Sequence, residues 1–399
     1  MRWLTIFWRI RLISLHAKLF GVKLDVSHGR LAADEVDMIP MLGQPMFDFN
    51  DHPFLVVWEM TRACALVCRH CRAAAKVHRH PQELDGEEAY RFVDQVVRAR
   101  PAIFILTGGD PMQRPDLYDI VAYATGKGLR VALSPSVTPL FLQADLKRLK
   151  EAGCARISIS IDGANRESHD RFRGIKGTWD MTMQALQNIR EAGIEVQVNT
   201  TFTKQNFREF DGFVKLLEEI KPVLWSVFQL VPTGRGKVAD LLNAFEMEEL
   251  FVKLAHLSTR VPYDIKTTEG HHYRRVVLQQ LHDEKALKKR APIGINDGKG
   301  FVFVSHIGEI QPSGFLPITG GNARTDELIE VYRNHEVFRN LRNSSLLKGK
   351  CGVCEYKDIC GGSRARAYAL TGDYLGEEPL CAYVSPQYHP AAAPAPAAS

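Results

Sequence analysis

Thr61-Arg62-Ala63-Cys64-Ala65-Leu66-Val67-Cys68-Arg69-His70-Cys71 follows directly on the apolar run at 54–60. Three cysteines spaced C-x3-C-x2-C supply three thiolates. That is one fewer than a four-iron cube can use, so one iron would stay open to a small chelating molecule. A zinc site of Cys3His type, with His70, His78 or His80 as the fourth ligand, uses the same residues. The context of the loop sets the fold. Short apolar runs recur at 102–107, 130–134, 156–161, 195–201 and 224–231, with helical patterns between them. The clearest helix puts Ala89, Phe92, Val93, Val96 and Val97 on one face. Gly153 and Gly193 stand where helices should stop before the next strand.

Six strand–helix units in succession predict an α/β fold with a parallel sheet and right-handed crossovers. An open doubly wound sheet has the same pattern. However, the chemistry-bearing residues come just after strand ends, around one rim, which favours a partial (β/α)6 barrel over 51–260. Beyond about residue 257 the alternation fails. A stretch punctuated by Gly and Pro (294–321) leads to a second cysteine set, predicting a small metal-stapled domain over 261–385.

Composition narrows the classes. Hydrophobic residues make up 45% and charged residues 24%, as in ordinary soluble proteins. A net charge of +5 without a long basic run predicts no nucleic-acid partner. Of eight cysteines, seven fall into two groups, which fits metal ligation better than disulfides and predicts a reducing, cytoplasmic location. Cys154 stands alone and reads as a small buried hydrophobe. The first 24 residues carry five basic and no acidic side chains among bulky apolar ones. They read as an interfacial helix in contact with a membrane, or as a helix packed on the domain, within an extension over 1–50. The end of the chain, 386–399, reads as a disordered Ala/Pro tail.

Further motifs follow the strands: Thr107-Gly108-Gly109-Asp110-Pro111, Ser158-Ile159-Ser160-Ile161-Asp162-Gly163 and His169-Asp170-Arg171-Phe172-Arg173-Gly174. With the cysteine loop, they resemble the radical SAM superfamily over about 54–381. The resemblance implies that Cys64, Cys68 and Cys71 hold a 4Fe–4S cluster. S-adenosyl-L-methionine (SAM) would bind its open iron and be cleaved reductively to a 5′-deoxyadenosyl radical. Gly108, Gly109 and Asp110 resemble the Gly-Gly-Glu-Pro motif that receives the methionine amino group, with the shorter Asp in place of Glu. Ser158 and Ser160, on the polar face of their strand, would lie toward the SAM carboxylate, with Arg173 able to pair a carboxylate. Asn199 and Thr201 would contact the ribose, and Leu230-Val231-Pro232 would wall the adenine. A flavodoxin or ferredoxin-like protein would donate the electron.

Cys351-x2-Cys354-x5-Cys360, with Cys381 farther on, gives four thiolates and a closed site. Spacing alone leaves zinc and iron open. The set resembles the SPASM or twitch extension, which carries auxiliary 4Fe–4S clusters. Arg364 stands where a full SPASM domain has a further cysteine, and Ser313 where it has an upstream one, so one auxiliary cluster is expected. Pro312-Ser313-Gly314-Phe315-Leu316-Pro317 and Cys360-Gly361-Gly362-Ser363-Arg364-Ala365-Arg366-Ala367 resemble motifs of SPASM enzymes of tetrapyrrole metabolism. Those enzymes, the alternative haem synthases and relatives, act on propionate side chains. The resemblance implies oxidative decarboxylation of such a chain, with Arg364 and Arg366 binding its carboxylates or, equally, neutralising the thiolate-rich site. A peptide-modifying maturase, and a non-catalytic iron–sulfur or zinc scaffold, are the alternative readings.

Overall fold

The computed structural model describes residues 48–281 and 294–389. Seven strands run parallel in sequence order: β1 (Leu55–Glu59), β2 (Ile103–Thr107), β3 (Val131–Leu133), β4 (Arg156–Ser160), β5 (Glu195–Phe202), β6 (Leu224–Gln229) and β7 (Asp264–Thr268). On the free side of β1, β8 (Phe301–Val304) adds in parallel, followed by antiparallel β9 (Glu309–Gln311) and β10 (Gly321–Asn322). Helices α1 (Gly86–Ala99), α2 (Leu117–Gly126), α3 (Pro139–Leu142), α4 (Leu146–Glu151), α5 (Arg166–Arg173), α6 (Thr178–Glu191), α7 (Phe210–Ile220), α8 (Ala244–Ser258) and α9 (Tyr273–Leu281) connect the parallel strands or follow them. After β10 come α10 (Leu328–Asn334), α11 (Glu336–Arg342), α12 (Gly349–Gly352) and α13 (Arg364–Thr371). Among the described residues β7 and β10 are the ends of the strand order, so the barrel is partial.

Alternation along the strands sorts two faces. Val56, Trp58, Phe104, Leu106, Ile157 and Ile159 are buried in the apolar layer shared with the helices. Helix α1 shows how this layer is built. Its start is a capping box, with the Asp85 carboxylate accepting from the Glu88 amide and the Glu88 carboxylate from that of Asp85, worth about 1 kcal/mol. Ala89, Phe92, Val93 and Val96 are buried, and Phe92 meets the Trp58 ring edge-on at 5.2 Å. Burying each such large side chain stabilises by roughly 1.5–3 kcal/mol. The other face looks into the barrel and is polar over β4–β7. Register aligns Ser160 with Asn199, Asn199 with Ser226 and Ser226 with Lys266.

Two strands lie where the sequence pattern lapsed. β7 reads Asp-Ile-Lys-Thr-Thr, with one apolar residue to face the helices, too little for a periodicity signal. β8 pairs with β1 from across most of the chain, a partnership that local pattern cannot reveal. Both come from beyond residue 260, so the sheet draws its two flanks from the segment expected to form a separate domain. The basic N-terminal extension through residue 47 and the tail from 390 lie outside the described residues. Among the described residues no helix is long and apolar enough to cross a membrane.

Candidate active site

The cysteine loop is held at its neck and at its far side. The Cys64 amide donates to the Lys76 carbonyl at 2.7 Å and the Lys76 amide to Arg62 at 3.0 Å. Buried Glu83 gathers the neck, accepting from the Thr61 hydroxyl at 2.6 Å and from the Arg62 and His80 amides at 3.1 and 3.2 Å. On the far side Arg235 donates through Nε to the Cys68 carbonyl at 2.9 Å and through its amide to that of Cys71 at 3.0 Å. Cys64, Cys68 and Leu66 are buried together, with Cys71, Ala75 and Ile175 against them. Burial pushes the Cys64 and Cys68 thiols above the ordinary range.

The paired glycines and the aspartate have a role that sequence reasoning missed. The Gly109 amide donates to the Thr61 carbonyl and the Asp110 amide to the Ala63 carbonyl, each at 2.7 Å. A Cβ on Gly109 would lie 2.4 Å from the Ala63 carbonyl oxygen, and one on Gly108 2.7 Å from that of Thr61. The glycines therefore let the end of β2 stack on the cysteine loop. Asp110 was expected at the methionine amino group. Instead its carboxylate is sealed in, accepting from the Thr138 hydroxyl at 2.9 Å and the Met112 and Ser136 amides at 3.2 and 3.4 Å. Burial pushes it up to about 6. The Ser136 hydroxyl donates to the Gly109 carbonyl at 2.7 Å and lies 3.3 Å from the Cys64 sulfur, a contact no motif signalled.

Of the remaining candidates, Arg173 lies against the loop, and Ser158, Ser160 and Asn199 lie on the inward faces of β4 and β5. Arg173 is buried at the end of α5 and donates to the Asp162 carboxylate at 3.0 Å. Burial opposes its charge, but the Cys68, Cys64 and Cys71 thiols and Asp162 reinforce it. Asp162 also accepts the Thr201 amide at 2.8 Å and stands 3.8 Å from the His70 ring, which packs at a tilt against Phe172 with ring centres 4.6 Å apart. Burial takes His70 down to about 4, so it is neutral. Ser158 is buried and donates to the Leu133 carbonyl at 3.3 Å, while Ser160 stays partly open. Asn199 accepts from Gln197 at 2.7 Å and keeps its amide nitrogen for another partner. A further buried group went unforeseen: Glu59, inward at the end of β1, meets Arg72 at 2.7 Å and His306 at 2.9 Å. Alternation along β1 already placed it on the inner face.

Cys351, Cys354, Cys360 and Cys381 line one pocket with His272, Arg275 and Glu378. The Glu378 amide donates to the Cys351 sulfur at 3.3 Å and the Gly362 amide to the Cys360 sulfur at 3.4 Å. Burial pushes Cys360 to about 12 and Cys381 to about 11, so these thiols ionise only against a cation. His272 is 1% exposed, and neither ring nitrogen has a hydrogen-bond partner among the described residues. An orphaned imidazole on a four-thiol pocket fits a bound inorganic group. Among the described residues no three His, Cys, Asp or Glu side chains converge to the spacing of a single ion.

The two arginines, expected to bind substrate or equally to neutralise the thiolate-rich site, are enclosed by the protein. Arg364 and Arg366 are 1% and 0% exposed. Arg366 forks onto Glu378, both bonds at 2.8 Å, and donates to the Leu230 and Glu269 carbonyls. Arg364 donates to the Tyr374 and Gly376 carbonyls and reaches to 3.8 Å from the Cys351 sulfur. Their donors are engaged within the protein, tying α13 both to the segment that follows the second cysteine site and to the backbone just after β6 and β7. Their reading as supports of the thiolate-rich site is the one the contacts carry.

Comparison with known proteins agrees with this architecture. The model of the radical SAM superfamily matches residues 58–217. The AdoMet-dependent heme synthase of Nitratidesulfovibrio vulgaris is 41% identical over 338 residues, covering 82% of this chain and 92% of the relative. The mycofactocin maturase MftC of Mycobacterium ulcerans is 30% identical over 354 residues, covering 86% and 91%. Among solved structures, SuiB of Streptococcus suis bound to S-adenosylmethionine superposes with a TM-score of 0.64 over 84% of this chain and 78% of SuiB, at 16% identity, a likeness of fold. The parallel partial barrel, the loop of three cysteines at its rim and these relatives agree: the chain is a radical SAM enzyme, a member of the radical SAM superfamily.

Proposed function

We propose that the protein modifies a tetrapyrrole by oxidative decarboxylation of a propionate side chain. Likeness to the heme synthase carries this reading, at 41% identity over nearly the whole relative, against 30% for the maturase. Members of the superfamily use a 4Fe–4S cluster and SAM. Cys64, Cys68 and Cys71 would hold that cluster; with SAM it supplies the 5′-deoxyadenosyl radical that takes hydrogen from substrate. Arg173, beside the three thiols, offsets their negative charge. Ser160 and Asn199, paired in register on the inward faces of β4 and β5, would be suited to the polar groups of SAM. Hydrogen abstraction beside the propionate, loss of one electron to an acceptor and release of carbon dioxide leave a vinyl group, with charge and atoms balanced. A flavodoxin or ferredoxin-like protein supplies the reducing electron.

Cys351, Cys354, Cys360 and Cys381 would hold one auxiliary 4Fe–4S cluster. His272, deprived of partners in the same pocket, is suited to hydrogen-bond a cluster sulfur. Anaerobically reconstituted protein is expected to contain about eight iron and eight sulfide per chain. About four iron with one tightly held zinc would remove the auxiliary cluster and leave the first standing. The substrate is tested by anaerobic turnover with SAM, dithionite and an iron porphyrin bearing propionates. Loss of 44 Da per reacted side chain plus two hydrogens, about 46 Da in all, is the expected mass change. Uncoupled SAM cleavage with every propionate intact, alongside turnover of a peptide, would replace the tetrapyrrole reading with the maturase one.

A further inference from the structure

With Arg364 and Arg366 enclosed, another arginine stands at the barrel rim with most of its donors free. Arg72 directly follows Cys71, the last cysteine of the loop. Two neighbours place its side chain on the inner face of the sheet. On β8, Val302 and Val304 belong to the helix-facing core, so Phe303 turns inward; on β1, Val56 and Trp58 do the same for Glu59. The Arg72 guanidinium lies 4.6 Å from the centre of the Phe303 ring and 2.7 Å from the Glu59 carboxylate. The segment after β9 approaches from a third side: a Cβ on Gly314 would fall 3.1 Å from both Cδ and Nε of Arg72. Glycine at that position keeps Nε clear.

The buried arginines that tie this protein together give their donors to backbone carbonyls as well as to a carboxylate. Arg114 reaches Met60 and Leu84 besides forking onto Asp116, and Arg366 reaches Leu230 and Glu269 besides Glu378. Arg72 makes no hydrogen bond to a carbonyl among the described residues. Its one charged partner, Glu59, is met through Nη2 and is shared with His306 at 2.9 Å. The side chain is 19% exposed, and none of its nitrogens is sealed in without a partner. The hydrogens on Nε and Nη1 therefore remain available on the inner side of the sheet. A strut between loop and sheet is the plainer use of Arg72, and it leaves those donors without a purpose. Beside them the lining turns apolar. Phe315, next to Gly314, and Phe228, inward on β6, are both only partly buried, with ring centres 6.4 Å apart. A guanidinium with open donors next to partly open aromatic rings suits a planar apolar molecule that carries acid side chains.

We propose that Arg72 binds an acid side chain of the substrate, with Phe228 and Phe315 against the face of its ring. The inference rests on the tetrapyrrole reading and adds to it the residue that meets the propionate. Because Arg72 adjoins Cys71, the carboxylate it holds would lie next to the site where the radical forms. A charge-assisted hydrogen bond from the guanidinium to that carboxylate adds affinity of roughly ten- to a hundredfold.

The test uses the full chain, anaerobically reconstituted. Wild type is first shown to bind an iron porphyrin bearing propionates; failure there counts against the tetrapyrrole reading, before Arg72 is at issue. Two variants follow. Glu59→Gln alone releases Arg72 from its ion pair, and Arg72→Gln combined with Glu59→Gln removes the cation without stranding a buried carboxylate. Iron content is measured for each, then binding of SAM, of the porphyrin free acid and of its methyl ester. The double variant is expected to keep its iron and its affinity for SAM. It should bind the free acid roughly ten- to a hundredfold more weakly, with ester binding unchanged. Glu59→Gln alone should bind the free acid at least as tightly as wild type. Unchanged acid binding in the double variant overturns the proposal, whether or not SAM binding falls. An equal loss for acid and ester overturns it too, since packing alone would explain that. Loss of iron in the double variant, or loss of acid binding already in Glu59→Gln, would reveal a strut of the cysteine loop and likewise overturn it.

Discussion

With Cys64, Cys68 and Cys71 all replaced by Ala, SAM incubated with the reduced protein is expected to yield no 5′-deoxyadenosine, a complete loss. The variant should still retain about four iron per chain, because the second cysteine set is built from separate residues. Its visible absorbance should fall to about half and keep its iron–sulfur character. The loop's hold on the barrel does not depend on the thiols: Glu83, Lys76 and Arg235 grip it largely through backbone amides and carbonyls. The fold is therefore expected to survive, as far-ultraviolet circular dichroism would report. Continued SAM cleavage under dithionite would move the reductive chemistry away from this loop.

Arg366→Met is expected to destabilise the protein by about 3–5 kcal/mol, since it leaves the Glu378 carboxylate buried without its partner. Urea unfolding measures the loss, and iron analysis should show the second site depleted while the first is kept. Acid adds a second readout. Burial alone would raise the Glu378 carboxyl, but the Arg366 guanidinium overrides it and holds the group down at about 2. A carboxyl depressed in the folded state contributes stability above its unfolded value, roughly 4.3, and that contribution drains away as pH falls toward 2. In Glu378→Gln this part of the acid dependence should vanish. A stable, iron-replete Arg366→Met protein with weakened substrate binding would restore the arginine to the substrate site.

How far the sequence could be read depended on whether the signal was local. Strands β1 to β6 announced themselves because their helix-facing side is apolar, and Gly153 and Gly193, both at positive φ, marked helix ends. β7 escaped because its inward side is polar and its outward side has only Ile265. The cysteine spacings located both thiol sets. What spacing could not convey was orientation: Asp110, Arg364 and Arg366 sit in motifs whose neighbours suggest ligand contact, yet each turns into the protein. Their partners, Thr138 for the first and Glu378 for the last, lie 28 and 12 residues away, in segments without a recognisable pattern. A buried ion pair between a helix and a loop leaves no periodic trace.

The strand that escaped notice also constrains how such a protein can be divided. Just past the end of β7 the chain reaches Glu269, whose carboxylate takes the Ser363 hydroxyl at 2.5 Å and whose carbonyl takes Arg366, and then His272 on the second thiol pocket. One short run of backbone thus belongs to both halves. A chain cut at residue 260 would lose this tie and would lose β7 and β8 together, baring β6 and β1 as unpaired edges open to other chains. The second thiol site could not be exchanged for another's as a cassette without redesigning the barrel wall, so the two halves are expected to have changed together, under one shared set of packing demands.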